Sequence, residues 1–141
     1  MSEKSHATGM AGEFFVMEKL FRLGYEASLT LGHAKSIDIL VRSKEKNHFS
    51  ISVKAVRSGG KWGIDQLEEK ETENMYYVLL KYDAFETIDS LPEVYVLPAN
   101  IAQDMKEPWQ KEKLWAIFYQ GKKAKPELNQ YKEKPWGWLP K

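Results

Sequence analysis

The order of its apolar segments constrains the fold of this chain more than any other feature. One helical stripe comes first: Phe14, Met17, Leu20 and Phe21 are spaced for a single face and predict a helix over residues 10–23. Five short segments of strand character follow, separated by turn residues, at 25–31, 37–41, 49–56, 75–80 and 93–97. One helix followed by about five strands with short connections predicts a single α/β (α+β) domain, in which helices flank a central mixed β-sheet.

The other segments carry weaker patterns. Residues 1–8 are polar and small, and we expect them to form a flexible N-terminus. Residues 64–74 are dense in charge, which predicts either a loop or a solvated helix. The spacing of apolar residues over 99–105 and over 111–119 predicts a short helix in each.

Composition excludes several classes of protein. The chain has 141 residues and no cysteine, so a disulfide scaffold, a cysteine-ligated zinc site and a thiol nucleophile are ruled out. The three histidines, at positions 6, 33 and 48, lack metal-site spacing. No run of about 18 apolar residues exists, and the N-terminus lacks the apolar core of a secretory signal. The sequence therefore predicts no membrane span and a cytoplasmic location.

The net charge of +1 conceals an asymmetry. Residues 1–105 hold 12 Lys+Arg against 16 Asp+Glu, whereas residues 106–141 hold 9 Lys against 4 Glu. A near-neutral average argues against a nucleic-acid partner, but the basic tail weakens that exclusion. The tail, residues 120–141, is lysine-rich, and we expect Trp136 and Trp138 to pack it onto the core.

Charged residues embedded in the apolar strands are the strongest chemical signal. Asp38 lies inside the 37–41 segment and Lys54 inside the 49–56 segment, where a charge is costly unless it is paired or metal-bound. Ser52 shares a strand face with Lys54, and a helix packed across the sheet would bring Glu13 alongside. Two carboxylates and a lysine at one sheet edge meet the needs of metal-assisted phosphodiester hydrolysis, with Mg²⁺ or Mn²⁺ bound by carboxylate oxygens.

These residues resemble the motifs of the PD-(D/E)xK nuclease superfamily, which has the restriction-endonuclease-like fold. Gly9-x-x-Gly12-Glu13 is similar to its first motif, Asp38 to its metal-binding aspartate, and Ser52-Val53-Lys54 falls at its acid-x-lysine signature. Within the superfamily the chain resembles a group of small bacterial proteins of unknown role. The shared segments are Gly12-Glu13-Phe14-Phe15, 32–38, 76–80 and 93–98.

The resemblance implies a nuclease-like core over residues 9–119. In it, Glu13 and Asp38 would bind the metal, Lys54 would be the catalytic lysine and Ser52 an auxiliary ligand. The chain departs from the family at Ser52, because serine replaces the second acid and lowers the charge of the site by one. Asp65 and Glu68, which follow the lysine strand, are candidates to supply the missing carboxylate.

Each of these residues also has a structural interpretation. Asp38 and Lys54 could form an ion pair without catalysis, and Glu13 could stabilise the first turn of its helix. His33 and Lys35, in the loop before Asp38, could contact phosphate or simply be polar loop residues. Lys61 and Trp62, after a double glycine, could hold a nucleic-acid strand by charge and stacking, or Trp62 could pack on the core.

Three hypotheses of function follow. The first is a divalent-metal-dependent nuclease, a hydrolase that acts on DNA. The second is a catalytically degenerate nuclease-fold module that binds nucleic acid or a protein. The third is a structural domain that works only inside an oligomer. A homodimer is expected under the first two, since many nuclease-fold domains pair to handle two strands.

Overall fold

The computed structural model describes residues 3–30, 36–111, 113–119 and 126–141. The first helix, α1, runs from Glu3 to Arg22 and so begins seven residues before the predicted start, which places residues expected to fray inside a helix. Its buried positions are Thr8, Gly12, Val16 and Leu20, spaced four apart. The predicted apolar stripe is buried in part, since Leu20 lies on this face and Met17 packs against the same cluster, whereas Phe14 and Phe21 are exposed. The N-terminal half of the buried face consists of the smaller residues Thr8 and Gly12.

Within the described ranges, eight strands follow α1, together with one further α-helix. The strands are β1 (Glu26–Leu29), β2 (Ile39–Arg42), β3 (His48–Val56), β4 (Lys61–Gly63), β5 (Met75–Lys81), β6 (Glu93–Pro98), β7 (Glu107–Trp109) and β8 (Leu114–Phe118). Five of them form the central sheet in the order β1-β2-β3-β5-β6. Its pairs are antiparallel except β3 with β5, which are parallel. The prediction of a mixed five-stranded sheet in a single α/β domain is confirmed.

A second, smaller sheet joins β4, β8 and β7, all antiparallel. It corrects the prediction of a helix over residues 111–119, because that segment contains β8. Within β8, Ala116 and Ile117 are fully buried, and Ile117 pairs with Trp62 across the sheet. The segment is rich in aromatic and β-branched residues, which suit a pleated surface more than a helix.

Two apolar clusters cover the two faces of the central sheet. One lies under α1 and contains Val16, Leu20, Ile51 and Val53. The other contains Trp62, Tyr77, Leu79 and Ile117, beneath the small sheet and the helix α2 (Ala99–Met105). Because neighbours along a strand point to opposite faces, residues 52 and 54 of β3 belong to the face that the small sheet covers in part.

The C-terminal segment packs against the body through two 3₁₀-helices, Pro126–Tyr131 and Pro135–Trp138. Leu128, Tyr131 and Leu139 are buried, and Trp136 packs against the cluster under α1. Trp138 is more exposed and stacks on Tyr131. Across the described ranges, no helix combines the length and apolarity that a membrane-spanning helix needs.

Candidate functional site

Asp38 lies immediately before β2 and is fixed against β3 by two hydrogen bonds. Its backbone N–H donates to the Ile51 carbonyl (2.9 Å), and its Oδ2 accepts from the Val53 N–H (2.7 Å). The paired register of β2 with β3 begins at Ile39, which lies opposite Ile51. Asp38 therefore lies at the end of the β2–β3 pairing, beside Ile51 and Val53, while Ser52 and Lys54 share the face of β3 that turns away from α1.

Lys54 forms its ion pair with Asp65. Its Nζ lies 3.0 Å from the Asp65 Oδ2, and each of the two side chains is only 26% exposed. The Tyr77 hydroxyl donates to the same oxygen at 3.2 Å. Asp65 is one of the two acids that the sequence offers for the missing carboxylate, and the structure brings it to the lysine.

The backbone around Asp65 is held by α2. The Asp65 carbonyl accepts a hydrogen bond from the Gln103 side-chain amide (2.8 Å), and Gln103 Oε1 accepts from the Leu67 N–H (3.1 Å). One glutamine thus fixes both sides of a segment that has no strand or helix of its own. The other candidate acid, Glu68, takes part instead in a capping box with Glu71 at the 3₁₀-helix Glu69–Thr72.

The two aspartates have opposite pKa shifts. Burial raises the pKa of Asp38, and this outweighs the Val53 N–H and the Lys54 ammonium, which lower it, while the Asp65 carboxylate raises it further. Burial also acts to raise the pKa of Asp65, but the Lys54 ammonium and the hydrogen bonds to its carboxylate reverse the direction and hold that pKa below its usual value. Asp65 is therefore the stably ionised partner of the lysine.

Glu13 approaches from the opposite side, on α1. Burial raises its pKa, and the Asp38 carboxylate raises it further, because a second negative charge disfavours ionisation. The approach depends on Gly12, where an added Cβ would lie 2.9 Å from the Ala55 Cβ on β3. Only glycine lets α1 lie this close to the strand without displacing it.

Ser52 is completely buried, and its hydroxyl has no hydrogen-bond partner within the part of the chain that the structure describes. A buried polar group without a partner carries a desolvation cost of about 1–3 kcal/mol. The oxygen of the serine is thus unengaged by the described part of the chain.

Of the four residues proposed to contact nucleic acid, the structure describes Lys61 and Trp62. Trp62 is 1% exposed, and its indole N–H donates to the Leu80 carbonyl (2.9 Å). No face of its ring is free to stack on a base, which corrects that expectation in favour of core packing. Lys61 lies over the Trp109 ring, 4.3 Å from its centroid. His33 and Lys35 fall outside the described residues.

The carboxylate oxygens of this site suit a partly hydrated Mg²⁺ ion better than a metal ion that is enclosed entirely by protein ligands. Among the described residues, no three or more Asp, Glu or His side chains form a metal-binding group. Mg²⁺ commonly binds through one or two carboxylates and completes its shell with water and substrate phosphate. Glu13 and Asp38 are the two carboxylates that could hold such an ion, because a cation between them would relieve the repulsion that raises the pKa of Glu13. The Ser52 hydroxyl, on the face of β3 that turns away from α1, is a further oxygen without a described partner.

Comparison with solved structures identifies the architecture. One similar structure is that of a bacterial homing endonuclease, I-Ssp6803I; the match has a TM-score of 0.61 and covers 97% of this chain and 92% of that one. This chain has a nuclease-like fold. The sequences are only 17% identical, so the likeness concerns the fold alone. No protein-family model matches the chain, and no curated protein matches it.

The sequence does not single out Tyr77 and Gln103 as parts of the site. A signal for Tyr77 exists in the strand pattern, because parallel pairing of β3 with β5 sets it opposite Ser52. Gln103 has no such signal, since its contact with the Asp65 backbone depends on how α2 packs against a loop.

Proposed function

We propose that this protein is a divalent-metal-dependent phosphodiesterase of the PD-(D/E)xK type that acts on DNA. The observation that carries the proposal is the convergence of Glu13, Asp38 and the Lys54–Asp65 pair from four parts of the fold. Asp38 is coupled electrostatically to all three of the others. The nuclease-like fold supports the assignment.

Glu13 and Asp38 would hold Mg²⁺ or Mn²⁺, with Ser52 as an auxiliary oxygen ligand. When bound, the metal would polarise the phosphate and acidify a water molecule. The Val53 N–H fixes one oxygen of Asp38 and so orients the carboxylate toward the site. Gly12 sets the distance at which Glu13 reaches it.

Lys54 would steady the negative charge that develops on the phosphate, or position the attacking water. Asp65 and Tyr77 would hold the ammonium in place until substrate enters. Asp65 also supplies a carboxylate close to Lys54. In the acid-x-lysine motif that carboxylate would stand at position 52 of β3, whereas Asp65 belongs to the segment after β4.

A second candidate is a nuclease-fold module that binds DNA or a protein and cuts nothing. Ser52 is the observation that favours it, because the strand that carries the lysine has lost its acid. Under this alternative the Lys54–Asp65 ion pair is structural. A homodimer is compatible with either candidate and stays a prediction, which light scattering of the purified protein tests.

The test is a cleavage panel on supercoiled plasmid and on single- and double-stranded oligonucleotides, with Mg²⁺, Mn²⁺ or EDTA. Wild type, Asp38→Ala, Lys54→Ala and Ser52→Glu are compared, with Glu68→Gln as the matched control because Glu68 lies outside the cluster. The proposal predicts metal-dependent cleavage by wild type and by Glu68→Gln, and its loss in Asp38→Ala and Lys54→Ala.

The other outcomes separate the alternatives. Cleavage that persists in both Asp38→Ala and Lys54→Ala contradicts the assignment of the site. Cleavage by Ser52→Glu alone identifies the natural chain as a degenerate nuclease. Salt-sensitive DNA binding without cleavage by any variant favours the binding module.

A further inference from the structure

A cleft of about 290 Å³ opens between the first turns of α1 and the end of β3. Its polar walls are Lys4, Ser5 and Thr8 from the helix and Arg57 and Ser58 from the chain after β3. We propose that this cleft binds a backbone phosphate of DNA, within a few nucleotides of the phosphate that is cut. The inference rests on the proposed function for the identity of the ligand, because the cleft itself specifies only a phosphate-sized anion.

Arg57 is held in a fixed orientation at the centre of the cleft. Its Nε donates to the Thr8 hydroxyl (2.7 Å), and its guanidinium carbon lies 3.8 Å from the centroid of the Phe85 ring. Phe85 is held in turn by an edge contact with Tyr82. Among the described contacts, neither the Phe85 stacking nor the Nε hydrogen bond uses the two terminal nitrogens of Arg57 as donors. These two nitrogens lie in one plane, which is the geometry that suits phosphate oxygens.

The charge of Arg57 is poorly balanced by the protein. Its side chain is only 20% exposed, and its one ion-pair contact in the described ranges is with Glu86, at 4.0 Å. The Glu86 side chain is 89% exposed, so water screens that contact strongly. Lys4 adds a second cation to the same cleft. Arg57 and Lys4 therefore carry two positive charges against the one solvated carboxylate of Glu86, and this excess of positive charge favours an anionic ligand.

The distance between the cleft and Glu13 indicates which phosphate of the DNA strand the cleft would bind. Thr8 and Gly12 are one helical turn apart on the face that packs on β3, and Glu13 follows directly. Five residues of helix between Thr8 and Glu13 span about 7.5 Å along the axis. One DNA strand rises about 3.4 Å per nucleotide along the duplex axis, so an offset of this size lies within the reach of a few nucleotides. A strand whose phosphate lies at Glu13 and Asp38 can therefore place another phosphate in the cleft.

The experiment measures the salt dependence of binding. A fluorescein-labelled duplex is titrated with full-length protein in EDTA, between about 50 and about 200 mM salt, and anisotropy gives the affinity. The variants are Arg57→Gln and Lys4→Gln. Arg22→Gln is the matched control, since it removes one positive charge from the far end of the same helix, at an exposed side chain. Lys4 is exposed, so its variant tests the cleft without disturbing the core.

We expect Arg57→Gln and Lys4→Gln each to make the slope of log K against log salt less negative by about 0.9, because each removes one phosphate contact. Arg22→Gln should keep the wild-type slope. If wild type binds DNA in a salt-dependent way and all three variants keep its slope of log K against log salt, the proposed phosphate site in the cleft is wrong. The proposed function would remain intact. No DNA binding by wild type would overturn both.

A second arm separates DNA from free phosphate. Inorganic phosphate is added to wild type and to Arg57→Gln, and thermal melting is followed. Stabilisation of wild type by millimolar phosphate, without any slope change in the DNA titration, would assign the cleft to a small anion and overturn the inference. A DNA slope change supports it, whether or not free phosphate competes.

Discussion

Lys54 reaches Asp65 rather than Asp38: its Nζ lies 3.0 Å from the Asp65 Oδ2, while the Asp38 Oδ2 accepts the Val53 N–H. The lysine of β3 and the aspartate before β2 thus do not form a close ion pair with each other. The purely structural interpretation of the two charges, in which they neutralise each other, does not describe this geometry. The Asp38 carboxylate instead raises the pKa of a second acid, Glu13, and a cation bound by both would relieve that repulsion.

Replacing Asp65 by Asn should lower the pKa of Asp38, because the Asp65 carboxylate raises it and the Lys54 ammonium lowers it. The same change should reduce the free energy of unfolding by about 2 kcal/mol, since a charge-assisted hydrogen bond is lost. Carboxyl ¹³C NMR titration gives the pKa of Asp38, and urea denaturation gives the stability. An unchanged or raised pKa for Asp38 would show that the two aspartates do not interact.

Replacing Glu13 by Gln should stabilise the metal-free protein near neutral pH. The folded state raises the pKa of Glu13, so it holds the proton more tightly than the unfolded chain does. The ionised group therefore costs stability as pH rises through the folded pKa. Below the ordinary value of 4.5 both states are protonated, and the advantage of Gln should vanish.

Thermal melting in EDTA across this pH range measures the effect. Glu18→Gln is the matched control on the same helix, because Glu18 is exposed and pairs with Lys19 and Arg22. An equal gain in both variants would mean that general charge balance, and not repulsion by Asp38, is responsible. Adding Mg²⁺ should reverse the order, so that wild type melts above Glu13→Gln.

Gly12→Ala should destabilise the fold by about 1–3 kcal/mol, because the new Cβ meets the Ala55 Cβ at 2.9 Å and forces α1 away from β3. Metal affinity should fall as well, since Glu13 moves with the helix. Gly9→Ala is the control: its Cβ would have open space, and alanine should stabilise the helix by up to about 1 kcal/mol. Chemical denaturation and Mn²⁺ titration calorimetry test both variants, and equal behaviour would contradict the close-packing argument.

Ser52→Ala should increase the free energy of unfolding of the metal-free protein by about 1 kcal/mol, since it removes a buried hydroxyl that no described residue satisfies. If the hydroxyl is an auxiliary ligand, the same variant should bind Mn²⁺ more weakly. Calorimetry on wild type and variant decides between the two roles. Greater stability with unchanged Mn²⁺ affinity would show that Ser52 is not a metal ligand.

Much of the central sheet could be predicted from the sequence, because its strands are short, apolar and bounded by turn residues. The pattern also predicts that Ser52 and Lys54 share a face, which the structure has. The predicted helix over 111–119 is wrong because Leu114, Trp115 and Phe118 have the spacing of a helical face, although the segment pairs as a strand. The small sheet that contains β8 depends on pairing with Lys61–Gly63, about 50 residues earlier in the chain, and local periodicity does not reveal such pairing.

The site is predictable in part for a related reason. Asp38 and Lys54 are conspicuous because charges are rare inside apolar strands. Asp65 lies in a charge-dense segment with several acids, and only the packing of that segment against α2 selects it over Glu68. The predicted helical stripe is buried only in part, because the face of α1 that packs on the sheet runs through Gly12, Val16 and Leu20 and leaves Phe14 outside.

The central claim is that this cluster hydrolyses phosphodiester bonds, and Lys54 tests it most directly because it is not one of the proposed metal ligands. The measurement is the single-turnover nicking rate of supercoiled plasmid in Mg²⁺, for wild type and Lys54→Met, with Mn²⁺ affinity measured in parallel. We predict metal-dependent nicking by wild type and a loss of about 100-fold or more in Lys54→Met, with metal binding retained. Nicking by Lys54→Met at the wild-type rate, or no nicking by metal-bound wild type, would contradict the claim.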